Sequence, residues 1–400
     1  MVHVHASLRK QEPGAVTLDE FLASNQTDLP AIQAEADRVL GLQADEVLLA
    51  VGSLVEGLGS RKSDLDLFWI TPRSAAELPP DVSITLVVNR CLVDVRVLRV
   101  SEIENLLGRF GAWCNQPWDT MREAKFPIED RLLLHRLLSG LLLSKKQKRA
   151  MEGLRPAPDD LARLKLHMAR HASRTIQVDM IGYRDHGDFY SLVFAAQEVL
   201  GHTIDALLAG HGFTNPQPRW RSRILRRIPK TWEQALPLRP SGLPPAELYW
   251  RLHRAPKVAD EKSAVEHAAR VVSFSRGVFK WAEGILLRQN ERRPRATNWS
   301  RVGHVGRDRR LPYLDLDVDF ASVDGGVVMG RLNEFGETVE LSPREFAAAL
   351  LCDGTTTFRE AEMALQQGRS SNGASAMVKN LIARLDAAKF ILRPAVNLNG

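Results

Sequence analysis

The sequence is short of several things, and each shortage removes a class of protein. Its 400 residues include three cysteines, Cys91, Cys114 and Cys352, at no spacing that ligates a metal. That argues against a disulfide framework and a cysteine zinc site, and reduced thiols are expected. His167 and His171 stand four apart on a predicted helix, but the glutamate of an HExxH zinc motif is missing between them. They read as surface or core histidines. The N-terminus has no long apolar run, so no signal peptide is expected. No segment of transmembrane length is expected either; Leu132 to Leu143 is broken by His135, Arg136, Ser139 and Gly140. Together these absences point to a cytoplasmic protein without a membrane partner.

What is present is ordinary in amount and uneven in charge. A hydrophobic fraction of 44% and 400 residues allow two or three domains with a sizeable core. The net charge of +6 calls for an anionic partner. A nucleotide satisfies that, and so does nucleic acid.

One stretch organises the rest. Glu46 to Val51 is a short apolar run that predicts a buried strand, and it ends in Gly52-Ser53. Leu65 to Ile70 predicts a second strand, with Asp64 and Asp66 at its start. Side chains alternate along a strand, so the two acids share a face. Carboxylates that close repel each other unless a cation lies between them. An all-oxygen donor set suits magnesium, which is commonly shared with substrate phosphates. The Gly52-Ser53 turn, read as leading into a helix, offers N–H groups and a hydroxyl to phosphate oxygens. A later β-branched run from Val87 to Val100 carries one acid, Asp94, which shares the face of the first pair if the strands are neighbours. Three carboxylates can hold two metals that serve an in-line displacement at phosphorus.

These residues resemble the nucleotidyltransferases of the DNA-polymerase-β superfamily: Gly-Ser, a spacer, Asp-x-Asp, then a lone acid on a later strand. Gly52, Ser53, Asp64, Asp66 and Asp94 match position by position, and Gly57 and Ser63 also fit the minimal and antibiotic-modifying branches. The resemblance covers roughly Gln43 to Val100. It implies two Mg2+ ions on Asp64, Asp66 and Asp94, and an NTP, with ATP favoured, held by Gly52 and Ser53. Ser63 and Arg61 are further nucleotide-binding candidates, with Lys62 beside them; a charged surface turn is the plain alternative for the two basic residues.

Elsewhere the readings are mostly structural. The His3-x-His5 pair belongs to a polar, frayed end. Thr17 with Glu20 forms a capping box, and Leu29 to Leu40 predicts an amphipathic helix. Pro72 to Pro80 reads as a loop. Ser101 is expected to cap a helix to Arg109, with Trp113 and Trp118 in a following loop, packing at a domain junction or stacking on a base. From Ile128 to Leu287 the periodicity is helical and predicts a bundle, with helices over Ile128–Leu142, Asp159–Met180, Asp188–Ala209, Trp232–Ala235 and Val258–Leu287. The stretch Asn215 to Trp220 looks like part of the helical domain that covers the acceptor in small-molecule nucleotidyltransferases. Arg219, Arg221, Arg223, Arg226, Arg227 and Lys230 surround Trp220. They suit phosphate contacts or a solvated helix face. Asp179, Asp185, Asp188 and Glu198 are candidate acceptor bases, with ordinary ion pairs as the alternative. The segment from Glu291 to Arg310 reads as a linker.

The C-terminal part predicts a hairpin around Asp324-Gly325-Gly326. Asp315, Asp317 and Asp319 mimic a metal site there, but no phosphate-binding turn precedes them, and they are expected on the exposed face of the hairpin. Ser342, Pro343 and Glu345 open a helix, Thr357 a second and Ala374 a third. Short strands with three helices describe a winged-helix-like unit. Val339-x-Leu341, Leu351-Cys352-Asp353-Gly354, Thr357 and the Leu381–Phe390 helix resemble the PqqD-like peptide-recognition family over roughly Phe335 to Pro394. That resemblance implies a leader peptide added as a strand beside Val339 and Leu341. A generic packing or dimerisation role is the alternative.

The expected fold class is therefore α+β: a nucleotidyltransferase core of a small mixed sheet with helices (1–105), a helical substrate domain (106–290), a linker (291–310) and a winged-helix-like domain (311–400). The expected function is Mg-dependent transfer of a nucleoside monophosphate from NTP to a hydroxyl or amine. The favoured acceptor is a ribosomally made precursor peptide; a small, antibiotic-type molecule or another protein is the alternative. An inactive core serving an adaptor, or an RNA-tailing enzyme, would be other classes; nucleic acid is the less favoured partner.

Overall fold

The computed structural model describes residues 15–78, 83–116, 126–258, 260–287, 309–323, 326–332, 336–366 and 372–392. Those stretches are mixed α and β. The chain divides into two compact units: Met1–Leu161 with Thr214–Arg223, and Ala162–Phe213 with Ile224–Gly400. The four-part division expected from the sequence is finer than this. His3, His5 and Trp118 lie outside the described residues, as do 291–308 of the expected linker.

The first unit is built on a five-stranded sheet ordered β3-β4-β2-β1-β5. Its strands are β1 (Val47–Val51), β2 (Leu65–Thr71), β3 (Ser83–Val88), β4 (Cys91–Arg99) and β5 (Leu141–Leu142). The pair β2 and β4 runs parallel, and the other pairs are antiparallel. Every residue of β1 is buried, as expected of a central strand covered on both faces. One face carries Leu48, Leu67, Trp69, Val93 and Val95 and packs on α1 (Leu18–Ser24) and α2 (Leu29–Leu40). The other carries Val51, Phe68, Ile70 and Leu98 and packs on α3 (Val100–Cys114) and α4 (Ile128–Ser139).

Local signals explain most boundaries. Thr17 and Glu20 close the expected capping box of α1, and Asp28 caps α2, which stops at Gly41 in the left-handed region. Ser101 is not a cap: α3 begins one residue earlier, where Glu102 reaches back to the Arg99 N–H. The helix continues through Trp113, expected in a loop. Trp113 is buried, stacked on Phe110 at 6.4 Å and edge-on to Phe126 at 6.3 Å, so it packs rather than offering a stacking platform. Helix α4 ends at Gly140, and Leu141 and Leu142 add to the sheet instead of extending the helix.

The second unit holds α5 (Pro158–Asp185) beyond its first turn, α6 (Phe189–Gly210), α8 (Pro245–His253) and α9 (Glu261–Leu286); the short α7 (Arg221–Leu225) straddles the division. Helix α6 corrects one expectation: it is long and apolar enough to cross a membrane. However, 78% of its apolar window is buried inside the protein, as in a core helix. Asp188 caps it and Asp260 caps α9. Beyond them, β7 (Val318–Val323), β8 (Gly326–Arg331) and β9 (Val339–Leu341) form an antiparallel sheet, while β6 (Tyr313–Leu314) pairs β10 (Ile391–Leu392). They share a core with α10 (Pro343–Leu350), α11 (Phe358–Leu365) and α12 (Asn372–Ala387). The capping boxes at Ser342 and Thr357 form as expected.

Candidate functional site

The registers decide where the acids meet. Asp66 on β2 lies opposite Val51 on β1 and opposite Asp94 on β4, and Asp94 lies opposite Thr85 on β3. Parallel neighbours in register present their side chains to the same face. Asp66 and Asp94 therefore share the face that Phe68, Ile70 and Leu98 present to α3 and α4. Asp64 sits just before β2 and is exposed; Asp66 and Asp94 are half-buried.

The electrostatics follow from that row. The pKa of Asp66 is raised, chiefly by burial, with Asp94 and Asp64 adding to the rise and Arg136 and Arg219 opposing it. Arg136, from α4, holds Nη2 3.5 Å from Asp66 Oδ2 and lies over the Phe68 ring. Thr85 donates its hydroxyl to Asp94 Oδ1 at 3.0 Å. Among the described residues no three His, Cys, Asp or Glu side chains close up as a metal-holding group. Two observations bear on whether magnesium fits. The donor set is all oxygen, and its charges raise rather than relieve the pKa of the central acid. Both fit a divalent cation.

The turn after β1 is built around Gly52. Its φ of +85° lies in the left-handed region, and a Cβ there would fall 2.3 Å from Asp66 Oδ2. Only glycine lets the backbone run against that carboxylate. The expected helix after Gly52-Ser53 does not form. The Ser53 carbonyl instead accepts from the Leu58 and Gly59 N–H groups at 2.7 and 2.9 Å, and Gly57 has φ of 65°. The result is a tight loop rather than a helix start, so the donors available at this turn are loop backbone and the Ser53 hydroxyl. Ser63 accepts from the Ser60 N–H at 2.9 Å, which places its hydroxyl inside the next turn. Arg61 and Lys62 are exposed at that turn.

A second segment comes to this loop from far along the chain. Asn215 Nδ2 donates to Glu56 Oε2 at 2.9 Å, His135 Nε2 lies 3.0 Å from the same oxygen, and His135 Nδ1 meets Thr214 Oγ1 at 2.9 Å. Arg223 donates to the carbonyls of Leu58 and Gly59. These contacts bind Thr214–Arg223 to the glycine loop. They bring the Arg219 charge within reach of Asp66, while Arg219 and Arg223 lie over the Trp220 ring at 5.0 and 5.4 Å. The basic run is thus divided: Arg219, Arg221 and Arg223 belong to the first unit, and Arg226, Arg227 and Lys230 to the second. Sequence reasoning missed Glu56, His135 and Arg136 as parts of the site. A signal existed in the polar His135-Arg136 break of an apolar helix, but it was legible only as an interruption.

The other acids do something else. Asp315 and Asp317 are buried, and Asp319 is largely covered; none lies on an exposed hairpin face, contrary to expectation. Arg184 pairs Asp315 at 2.6 Å, Arg331 pairs Asp317 at 2.6 Å, and Arg174 donates from Nε to Asp319 at 2.8 Å. Burial alone would raise the pKa of Asp319, but Arg174, Arg170 and Lys280 hold it well below the usual carboxylate range. Asp188 is a helix cap, and Asp185 pairs Arg184 at 2.9 Å.

Compared with known proteins, the chain matches no family model and no curated protein.

Proposed function

We propose that the protein is a magnesium-dependent nucleotidyltransferase of the DNA-polymerase-β type. The reading is carried by the register of Asp66 against Asp94, beside a glycine loop that only glycine can bring so close to Asp66. Asp64, Asp66 and Asp94 would hold magnesium. The bound metal supplies charge neutralisation at the triphosphate and a lowered pKa for the acceptor hydroxyl or amine. The protein's own groups do the remaining work. The Gly52–Ser53 loop and the Ser53 hydroxyl bind the β- and γ-phosphates, and Arg219 and Arg136 add positive charge beside them. Arg61 and Ser63 stand at the next turn, where Arg61 reaches phosphate more readily than the engaged Ser63 hydroxyl. Asp94, adjacent to Asp66, takes the acceptor's proton as the acceptor oxygen or nitrogen attacks the α-phosphorus and pyrophosphate leaves. ATP is the favoured donor.

The acceptor is read from the C-terminal sheet and helices, taken as a winged-helix, PqqD-like unit; three antiparallel strands followed by three helices support that reading. A precursor peptide would add beside β9. The side chains of Val339 and Leu341 are buried in the core, so peptide contact there runs through backbone. A second reading, a small-molecule acceptor, is favoured by one contact: Arg384 already donates to the Glu340 carbonyl on β9 at 2.8 Å.

Pyrophosphate release from each NTP with magnesium, lost in Asp64→Ala and Asp66→Ala, tests the reaction class. Mass spectrometry of candidate precursor peptides after incubation with NTP tests the acceptor. A gain of one nucleotide residue supports the peptide, and release of pyrophosphate only with a small hydroxylated or amino acceptor supports the second reading.

A further inference from the structure

In the second unit a small cavity lies among α5, α9 and β7, and its lining is strongly cationic. Arg170 and Arg174 come from α5, Arg276 and Lys280 from α9, and Asp319 is the single carboxylate on its wall. The cavity holds about 20 Å3 of solvent-accessible space, against roughly 10–15 Å3 needed for one water. It is too small for a nucleotide.

Two buried polar atoms at this cavity have no hydrogen-bond partner: Arg276 Nη1 and Ser275 Oγ. Arg276 is 5% exposed and Ser275 1% exposed. The other guanidinium nitrogens of Arg276 are committed, Nε to the Val318 carbonyl at 2.8 Å and Nη2 to the Asp315 carbonyl. Lys280 donates to the Phe320 carbonyl at 2.7 Å and to Glu283 at 3.1 Å. A buried donor left unmatched is costly, and a buried guanidinium nitrogen more so than most. Burial, reinforced by the Arg170 and Arg174 charges and opposed by Asp319, also pushes the Lys280 ammonium well below its ordinary pKa.

We propose that this cavity binds a single small tetrahedral oxyanion of the inorganic phosphate class, received by Arg276 Nη1 and Ser275 Oγ with Arg174 at its mouth. Guanidinium groups suit such an ion because their forked donors match pairs of its oxygens. Asp319 does not repel it strongly, since Arg174 pairs that carboxylate. The site is separate from the acid row of the first unit and does not depend on the transferase reading.

The test is calorimetric titration of the full chain with inorganic phosphate, and with chloride at matched ionic strength. One phosphate is expected per chain at this site, with chloride much weaker. Arg276→Gln and Arg174→Gln should each weaken phosphate binding by about tenfold or more, as loss of a hydrogen bond to a charged group does. Ser275→Ala should weaken it by a smaller factor. Ser53→Ala should leave this binding intact, which separates it from phosphate held at the glycine loop. If Arg276→Gln fails to fold by circular dichroism, Arg174→Gln and Ser275→Ala decide. Equal binding of chloride, or wild-type affinity in the folded cavity variants, would overturn the proposal, as would binding lost in Ser53→Ala.

Discussion

Two acid rows in this chain have the same alternating spelling and opposite surroundings. Asp66 lies in register beside Asp94, with Asp64 just before its strand, and the central carboxylate has a raised pKa. Asp315, Asp317 and Asp319 each meet an arginine, and Asp319 stays ionised despite its burial. The first row has Arg136 and Arg219 near one of its three acids, and the second has an arginine on each acid. A spacing of two along the chain therefore does not define a metal site. What separates the two rows is whether the fold brings cations or more carboxylates to the same face. The first arrangement costs stability, which is the ground for the proposed cation site; the second locks helices to strands.

The largest expected effect separates activity from stability. Asp66→Ala should lower pyrophosphate release by roughly a thousandfold or more, while thermal unfolding in the absence of magnesium stays at or above the wild-type midpoint. An equal loss of both would place Asp66 with the structural row. The mirror experiment is Asp319→Asn. It leaves Arg174, Arg170 and Lys280 around a neutral side chain and should cost about 3 kcal/mol in urea unfolding. An unchanged unfolding midpoint would mean that the second row locks nothing.

Next comes the glycine loop. Gly52→Ala should cost about 1–3 kcal/mol from its left-handed backbone. It should also depress pyrophosphate release far more than that loss of stability explains, because the new Cβ displaces Asp66. The smallest effect concerns burial without a counter-charge. His211 and His267, in the second unit, have pKa values lowered to about 4, chiefly by burial. The unfolded chain takes up these protons near the ordinary histidine value and the folded chain does not. Stability should therefore fall as pH drops from about 6.5 towards about 4. His267→Gln should flatten part of that decline in melting curves taken across the window. A slope unchanged by the substitution would assign the decline to carboxylates.

Much of this was legible in the sequence, for local reasons. Strand alternation puts Asp66 on the face of Phe68 and Ile70, while Asp64 lies just before the strand, and the capping boxes at Thr17, Ser342 and Thr357 form as expected. The hairpin before Asp94 was not seen. Val87 to Val100 reads as one β-branched run, which hides the turn that Asn89, at φ of 54°, makes between Ser83–Val88 and Cys91–Arg99. The helix expected after Ser53 fails because Gly57 also needs the left-handed region and the Ser53 carbonyl closes a loop. Arg136 and the Thr214–Arg223 segment reach the site across long sequence separations, which no periodicity encodes. The cations of the second acid row come from α5, α9 and β8, far along the chain, and for that reason the row reads as solvent-exposed.

The most direct test is a melting comparison of wild type and Asp66→Asn, with and without magnesium plus a non-hydrolysable ATP analogue. Removing one charge from a mutually repelling row should leave Asp66→Asn at least as stable as wild type without ligand. Adding magnesium and nucleotide should then raise the wild type well above the variant. A variant that melts lower without ligand, or a wild type that does not respond to magnesium and nucleotide, would contradict the claim that this row is a cation site.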